Sequence, residues 1–187
     1  MEESRRLLTA AREMGFGLKI HADEIDELGG SLLAGELGAV SAEHLIATGE
    51  RGMEALAHGG VTAVLLPCTS LYLNKSFARA RDMIARGIPV AVATDFNPGS
   101  CPSLNIGLCM TMAYLKYRMT SEEILSAVTI NAACAVNRGG SSGTIEPGKK
   151  ADMVIWNAED MEMLCYRMGS NLAGTVIKHG AIVKNNI

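Results

Sequence analysis

A chain of 187 residues that is 48% hydrophobic yet only 4% aromatic is long enough for one good-sized domain and suits a close-packed aliphatic α/β core. A net charge of −3 with no run of Lys and Arg argues against a nucleic-acid partner; no stretch is long and apolar enough to cross a bilayer, and Met1 to Arg6 leads into no signal-peptide core, so a cytoplasmic protein without a membrane partner is expected. The five cysteines, Cys68, Cys101, Cys109, Cys134 and Cys165, lack CxxC spacing, so neither a zinc knuckle nor a disulfide framework is indicated and they read as reduced core fillers, with Cys101 beside the Asp95 loop where a thiol could line a pocket.

Ser4 to Met14 sets Leu7, Leu8, Ala11 and Met14 on one helical face, with Gly15 as a stop. Phe16 to Ala22 reads as a strand delivering His21, followed by an acidic loop, Asp23 to Glu27, and a helix over Ser31 to Leu37. Gly38 to Leu45 is a second strand with His44 near its end, and Glu50 to Ala57 a helix closed by His58-Gly59-Gly60. Val61 to Leu66 reads as a third strand, ended by Pro67, and Ser76 to Arg86 as a helix with Phe77, Ala80 and Ile84 inward. A fourth strand, beginning at Val90, runs into Asp95. Strand–helix units in succession imply a parallel sheet, because parallel strands need crossover connections.

Leu104 to Tyr117 is a long, Met-rich apolar helix, and Thr120-Ser121-Glu122-Glu123 is a capping-box-like start for a helix running to about Val136. From Gly139 the texture changes. Gly143 to Lys150 is turn-forming, after which Ala151 to Trp156 and Thr175 to Val183 read as strands of a small separate β element. The expected division is therefore 1–138 for the α/β part and 139–187 for the segment contributing to a small β domain.

Ligand-capable side chains at the ends of the first strand (His21), the second (His44) and the fourth (Asp95) share one rim of a parallel sheet, the rim where α/β proteins collect their sites. Imidazole nitrogen and carboxylate oxygen suit zinc or iron, so a metal-dependent hydrolase follows naturally. Each residue also has a plainer reading. Asp95 caps a turn, His44 is a hydrogen-bonded strand-end group, and Glu24, three residues past His21, is a solvated acid among Asp23, Asp26 and Glu27. Asn97, Gly99 and Ser100 form either a backbone cradle for an anionic or carbonyl oxygen or an ordinary Asn-Pro-Gly turn.

Four segments carry a family likeness: Lys19-Ile20-His21-Ala22-Asp23-Glu24, Gly38 to Leu45, Thr62 to Pro67, and Ala93-Thr94-Asp95-Phe96-Asn97-Pro98-Gly99-Ser100. Together with Arg118-Met119-Thr120, Thr129 to Ala133 and Gly143 to Asp152, they resemble the imidazolonepropionase family of the metal-dependent amidohydrolase superfamily. The resemblance covers nearly the whole chain and implies strands five to eight of a (β/α)8 TIM-type barrel, its C-terminal half, plus part of a small β-sandwich domain. It implies one zinc or iron ion held by His21 and Asp95. It gives Glu24 the ring-binding and water-positioning role, makes His44 an acid/base or transition-state partner, and has Asn97, Gly99 and Ser100 hold substrate.

The implied reaction is hydrolytic opening of the ring of 4-imidazolone-5-propanoate, a small molecule, to N-formimidoyl-L-glutamate in histidine degradation, with Asp95 handing a proton to the departing nitrogen. Two further family ligands come from a His-x-His pair, and this sequence contains none. The chain alone is therefore expected to be inactive and to associate with itself or with a missing N-terminal half. The alternatives are another cyclic-amide hydrolase or ring deaminase of the superfamily and, in a different class, a non-catalytic fragment or assembly subunit.

Overall fold

The structure is a computed structural model and describes residues 1–185. Short segments separated by helices of suitable length become strands, mainly apolar in two cases and alternating with polar residues in the other two. After α1 (Glu2–Glu13) the chain alternates β1 (Lys19–Ala22), α2 (Gly30–Leu37), β2 (Ser41–His44), α3 (Glu50–Gly59), β3 (Thr62–Leu65), α4 (Pro67–Tyr72), α5 (Ala80–Ala85) and β4 (Val90–Val92). The four strands form one parallel sheet in the order β1-β2-β3-β4, with Lys19 opposite Ser41, Ser41 opposite Thr62, and Ala63 opposite Val90. Then follow α6 (Ile106–Tyr117), α7 (Ser121–Val128), α8 (Ile130–Cys134), β5 (Met153–Trp156), α9 (Met161–Tyr166), β6 (Ala173–Lys178) and β7 (Ala181–Asn185), whose strands make a separate three-stranded antiparallel sheet, β5-β6-β7. Among the described residues no helix is long and apolar enough to cross a membrane.

The two faces of the parallel sheet differ because side chains alternate along each strand. Ala22, Ala42, Ala63, Leu65, Val90 and Val92 look toward the helices and share the main core with Leu33, Met53, Leu56, Met83 and Ile124. The other face carries Lys19, His21, Ser41, Glu43 and Val64. Among the described residues, apolar packing covers only its β3–β4 side, where Val64, Leu66 and Ala91 meet Ala132 and Ala135. Asn131 Nδ2 donates to the carbonyl of Val90 at 2.8 Å, and Lys19 Nζ to that of Ala135 at 3.0 Å, so α8 and the residue after it close the end of the sheet where the strands begin.

Close approach of α2 and α3 depends on glycine. A Cβ at Gly35 would run into the carbonyl oxygen of Ala55, and one at Gly59 would come within 2.5 Å of the carbonyl oxygen of Gly35. Gly35→Ala should therefore lower stability by about 1–3 kcal/mol through overpacking, despite alanine's better helix propensity. Urea unfolding followed by circular dichroism checks it, and a stabilised variant would contradict the packing argument.

Several boundaries differ from the sequence reading, each for a local reason. Pro67 does not merely end β3; it occupies the first turn of α4, where its missing N–H costs nothing. The helix expected over 76–86 shortens to α5 because Phe77 leaves helical spacing to pack edge-on against Tyr117, ring centroids 6.0 Å apart. The capping box at Thr120 and Glu123 is present, but the expected long helix breaks at Thr129. There the hydroxyl bonds back to the carbonyl of Leu125 at 2.6 Å while Asn131 is drawn to β4. The expected strand over 175–183 is two strands joined at His179-Gly180, both with positive φ, the turn geometry that matches strand twist. The short helix α9 was not expected.

Candidate metal and catalytic site

Three of the four parallel strands end in a non-glycine residue with left-handed backbone: Asp23 just past β1 (φ 49°), His44 at the end of β2 (φ 73°) and Asp95 beyond β4 (φ 54°). Such conformations are costly for residues with a Cβ and gather where side chains must be aimed. At Asp23 the turn reverses the chain so that Glu24 comes back over the strand ends. His21, Glu24 and His44 consequently bring one ligand atom each within 4.8 Å of one another.

Within that group His44 Nε2 lies 3.2 Å from His21 Nδ1, and His44 Nδ1 lies 3.6 Å from Glu24 Oε1. His44 is buried, Glu24 half-buried and His21 exposed. His44 Nδ1 has no hydrogen-bond partner among the described residues although it is buried, which is unusual for a polar atom and leaves it available as a ligand atom. Burial depresses the basicity of His44, His21 adds to that, and the charges of Glu24, Asp95 and Glu43 only partly oppose it. The imidazole is thus held neutral, the form that ligates metal. Two imidazoles and a carboxylate at this spacing fit a zinc or iron ion.

Asp95 lies outside this 4.8 Å group. One of its oxygens, Oδ2, accepts from the buried Thr69 hydroxyl at 2.6 Å, and its backbone carbonyl accepts from Asn97 Nδ2 at 2.8 Å. The following loop carries the hydrogen bonds of an Asn-Pro-Gly turn. Asn97 Oδ1 accepts from the amides of Gly99 and Ser100 at 2.9 and 2.7 Å, so an incoming oxygen would have to compete with it for either amide.

Two residues that shape the site were not singled out from the sequence. Asp23 is buried and accepts from the amides of Leu28, Gly30 and Ser31 at 3.0–3.1 Å and from the Ser31 hydroxyl, fastening the loop behind His21 and Glu24 to the start of α2. Its spacing ahead of Gly29-Gly30-Ser31 was a usable signal, since carboxylates favour helix starts. Thr69 offered none, because a hydroxyl inside a short helix has no local signature.

Residues 2–183 match the amidohydrolase family, and the chain belongs to that family. More particularly, it is 52% identical to the imidazolonepropionase of Bacillus cytotoxicus over 181 residues, covering 96% of this chain and 43% of the relative. It is equally similar to that of Bacillus mycoides, over 97% of this chain and 43% of the relative. The chain thus spans less than half the length of these curated relatives. Among solved structures, the zinc-bound adenosine deaminase of Xanthomonas campestris superposes with a TM-score of 0.82 at 20% identity, over 97% of this chain and 48% of that one. The zinc-complexed atrazine chlorohydrolase of Arthrobacter aurescens gives 0.79 at 19%, over 96% and 46%. These distant likenesses establish the α/β fold.

Proposed function

We propose that this chain is the C-terminal part of an imidazolonepropionase, contributing strands five to eight of a (β/α)8 barrel from 1–138 and part of a small β domain from 139–187. The observation that carries the reading is the convergence of His21, Glu24 and His44 at one strand mouth in a chain 52% identical to imidazolonepropionases. The reaction is opening of the 4-imidazolone-5-propanoate ring by water, a cytoplasmic step of histidine degradation. His21 and Asp95 would hold one zinc or iron ion, with Glu24 and His44 offering further ligand atoms beside His21. When bound, such an ion acts as a Lewis acid on the ring carbonyl and makes water acidic near neutral pH.

The chain's own residues supply positioning and proton movement. Glu24 orients the ring and the attacking water. The Asp95 oxygen that Thr69 does not hold takes the water proton and passes it to the ring nitrogen as the C–N bond breaks. Neutral His44 donates one hydrogen bond to the oxygen of the reacting carbonyl without competing for that proton. Asn97, Gly99 and Ser100 close the substrate side.

Three features support a missing partner half. β1 and β4 are each paired on one side only, leaving open edges. Lys19 and His21 are exposed on the face opposite the main core. On that same face Glu43 is buried with Oε1 bonded to Lys19 Nζ at 2.8 Å and Ser41 Oγ at 2.5 Å, while its Oε2 has no partner among the described residues and is open to a donor from the other half.

The chain alone should elute from gel filtration as a self-associated species, bind zinc or iron weakly and turn over no substrate. Co-expression with the remaining part of the Bacillus mycoides relative should give a one-to-one complex with metal and ring-hydrolase activity. A well-behaved active monomer, or a complex that carries metal but leaves the imidazolone ring intact, would overturn the proposal.

A further inference from the structure

The sulfurs of Cys68 and Cys109 lie 3.2 Å apart in hydrogen-bond contact, one on α4 and one on α6, and both residues are buried. Forty-one positions of sequence separate them, so their meeting is made by the fold. A disulfide needs its sulfurs at about 2.05 Å, an approach of roughly an ångström from where they already sit. The other cysteines are placed differently: Cys101 is buried near Asp95 with its thiol hydrogen-bonded to Thr69, Cys134 is exposed, and Cys165 is buried on α9.

The pair is asymmetric. The hydrogen bond from Cys109 holds the Cys68 thiol below its ordinary value despite burial, while the same bond and burial push Cys109 well above. Cys68 is thus the sulfur suited to carry charge and Cys109 the one suited to stay protonated. Access comes through α4 itself. It is six residues long, ends among exposed Leu71, Tyr72 and Leu73, and is followed by an irregular stretch to Arg79, the kind of segment that opens locally without global unfolding.

We propose that Cys68 and Cys109 form an oxidisable dithiol that a small peroxide converts to an intramolecular disulfide. The Cys68 thiolate attacks one peroxide oxygen and the O–O bond breaks. With hydrogen peroxide the leaving oxygen takes a proton as water, and Cys68 becomes a sulfenic acid. Cys109 then attacks that sulfur, the S–S bond forms, and the hydroxyl departs with the Cys109 proton as a second water. Two thiols are oxidised, and one peroxide is reduced to two waters. The bridge ties the start of α4 to α6 immediately beside Thr69, whose hydroxyl holds Asp95, so the oxidised form stiffens the support of that carboxylate. This assignment is independent of the ring-opening reaction proposed above.

The test uses the 187-residue chain as it stands, treated with hydrogen peroxide, denatured, alkylated with N-ethylmaleimide and mapped by mass spectrometry after chymotrypsin. The expected result is loss of two of the five free thiols, a cross-linked pair containing Cys68 and Cys109, and full recovery of both thiols with dithiothreitol. Cys101→Ser should leave the bridge unchanged, and Cys109→Ser should leave a Cys68 sulfenic acid that dimedone traps. Mapping of the unsubstituted chain decides the matter even if a variant fails to fold. A bridge from Cys68 to Cys101, intermolecular linkage through Cys134, or persistent alkylation of Cys68 and Cys109 would each overturn it.

Discussion

Replacing Asp95 with asparagine is expected to lower kcat for ring opening by about a thousandfold or more in the assembled enzyme, with KM little changed. Asparagine keeps the size of the side chain and an oxygen to accept from Thr69, and it leaves the backbone carbonyl that Asn97 Nδ2 holds at 2.8 Å. The left-handed backbone at φ 54° is also one that asparagine adopts more readily than most residues. What disappears is the negative charge and the proton acceptor. Loss of turnover in a variant that still carries its metal therefore belongs to the chemical step, and circular dichroism should be superimposable on that of the parent. Kinetics by ring absorbance, with elemental analysis for zinc and iron, check it. Turnover within a few-fold of the parent would remove Asp95 from the reaction.

The parallel sheet was legible because short segments bounded by glycines and amphipathic helices recur, apolar in β3 and β4, and because His21, His44 and Asp95 each lie near the same end of such a segment. What stayed hidden depended on contacts distant in sequence. Phe77 abandons helical spacing for Tyr117, and Asn131 pulls α8 away from α7 toward β4. The grouping of Glu24 with the two histidines was readable only as a possibility, since one acid in a loop of four carries no mark of its own. Its return over the mouth is set by the left-handed turn at Asp23, which residue type alone does not dictate. The distance of Asp95 from that group and its bond to Thr69 required coordinates.

Asp23 carries the largest expected effect on stability. Asp23→Ala strands the amides of Leu28, Gly30 and Ser31 and the Ser31 hydroxyl, all aimed at one buried carboxylate, and donors to a charged acceptor are among the costlier to orphan. A loss of about 3–5 kcal/mol follows, which for a chain of this size lowers Tm by about 10 °C. The acid limb gives an independent check. Burial raises the carboxyl, but the bonds from Ser31, Gly30 and Leu28 together outweigh it and hold it below its ordinary 3.8. Because the folded value is the lower one, the stabilisation is full above about 3.8 and is lost as pH falls through the folded value. The unsubstituted chain should therefore lose stability more steeply than Asp23→Ala below pH ~4. Chemical denaturation across that range measures both slopes. Parallel slopes, or a variant as stable as the parent near neutrality, would mean that the loop carrying His21 and Glu24 is held by something other than Asp23.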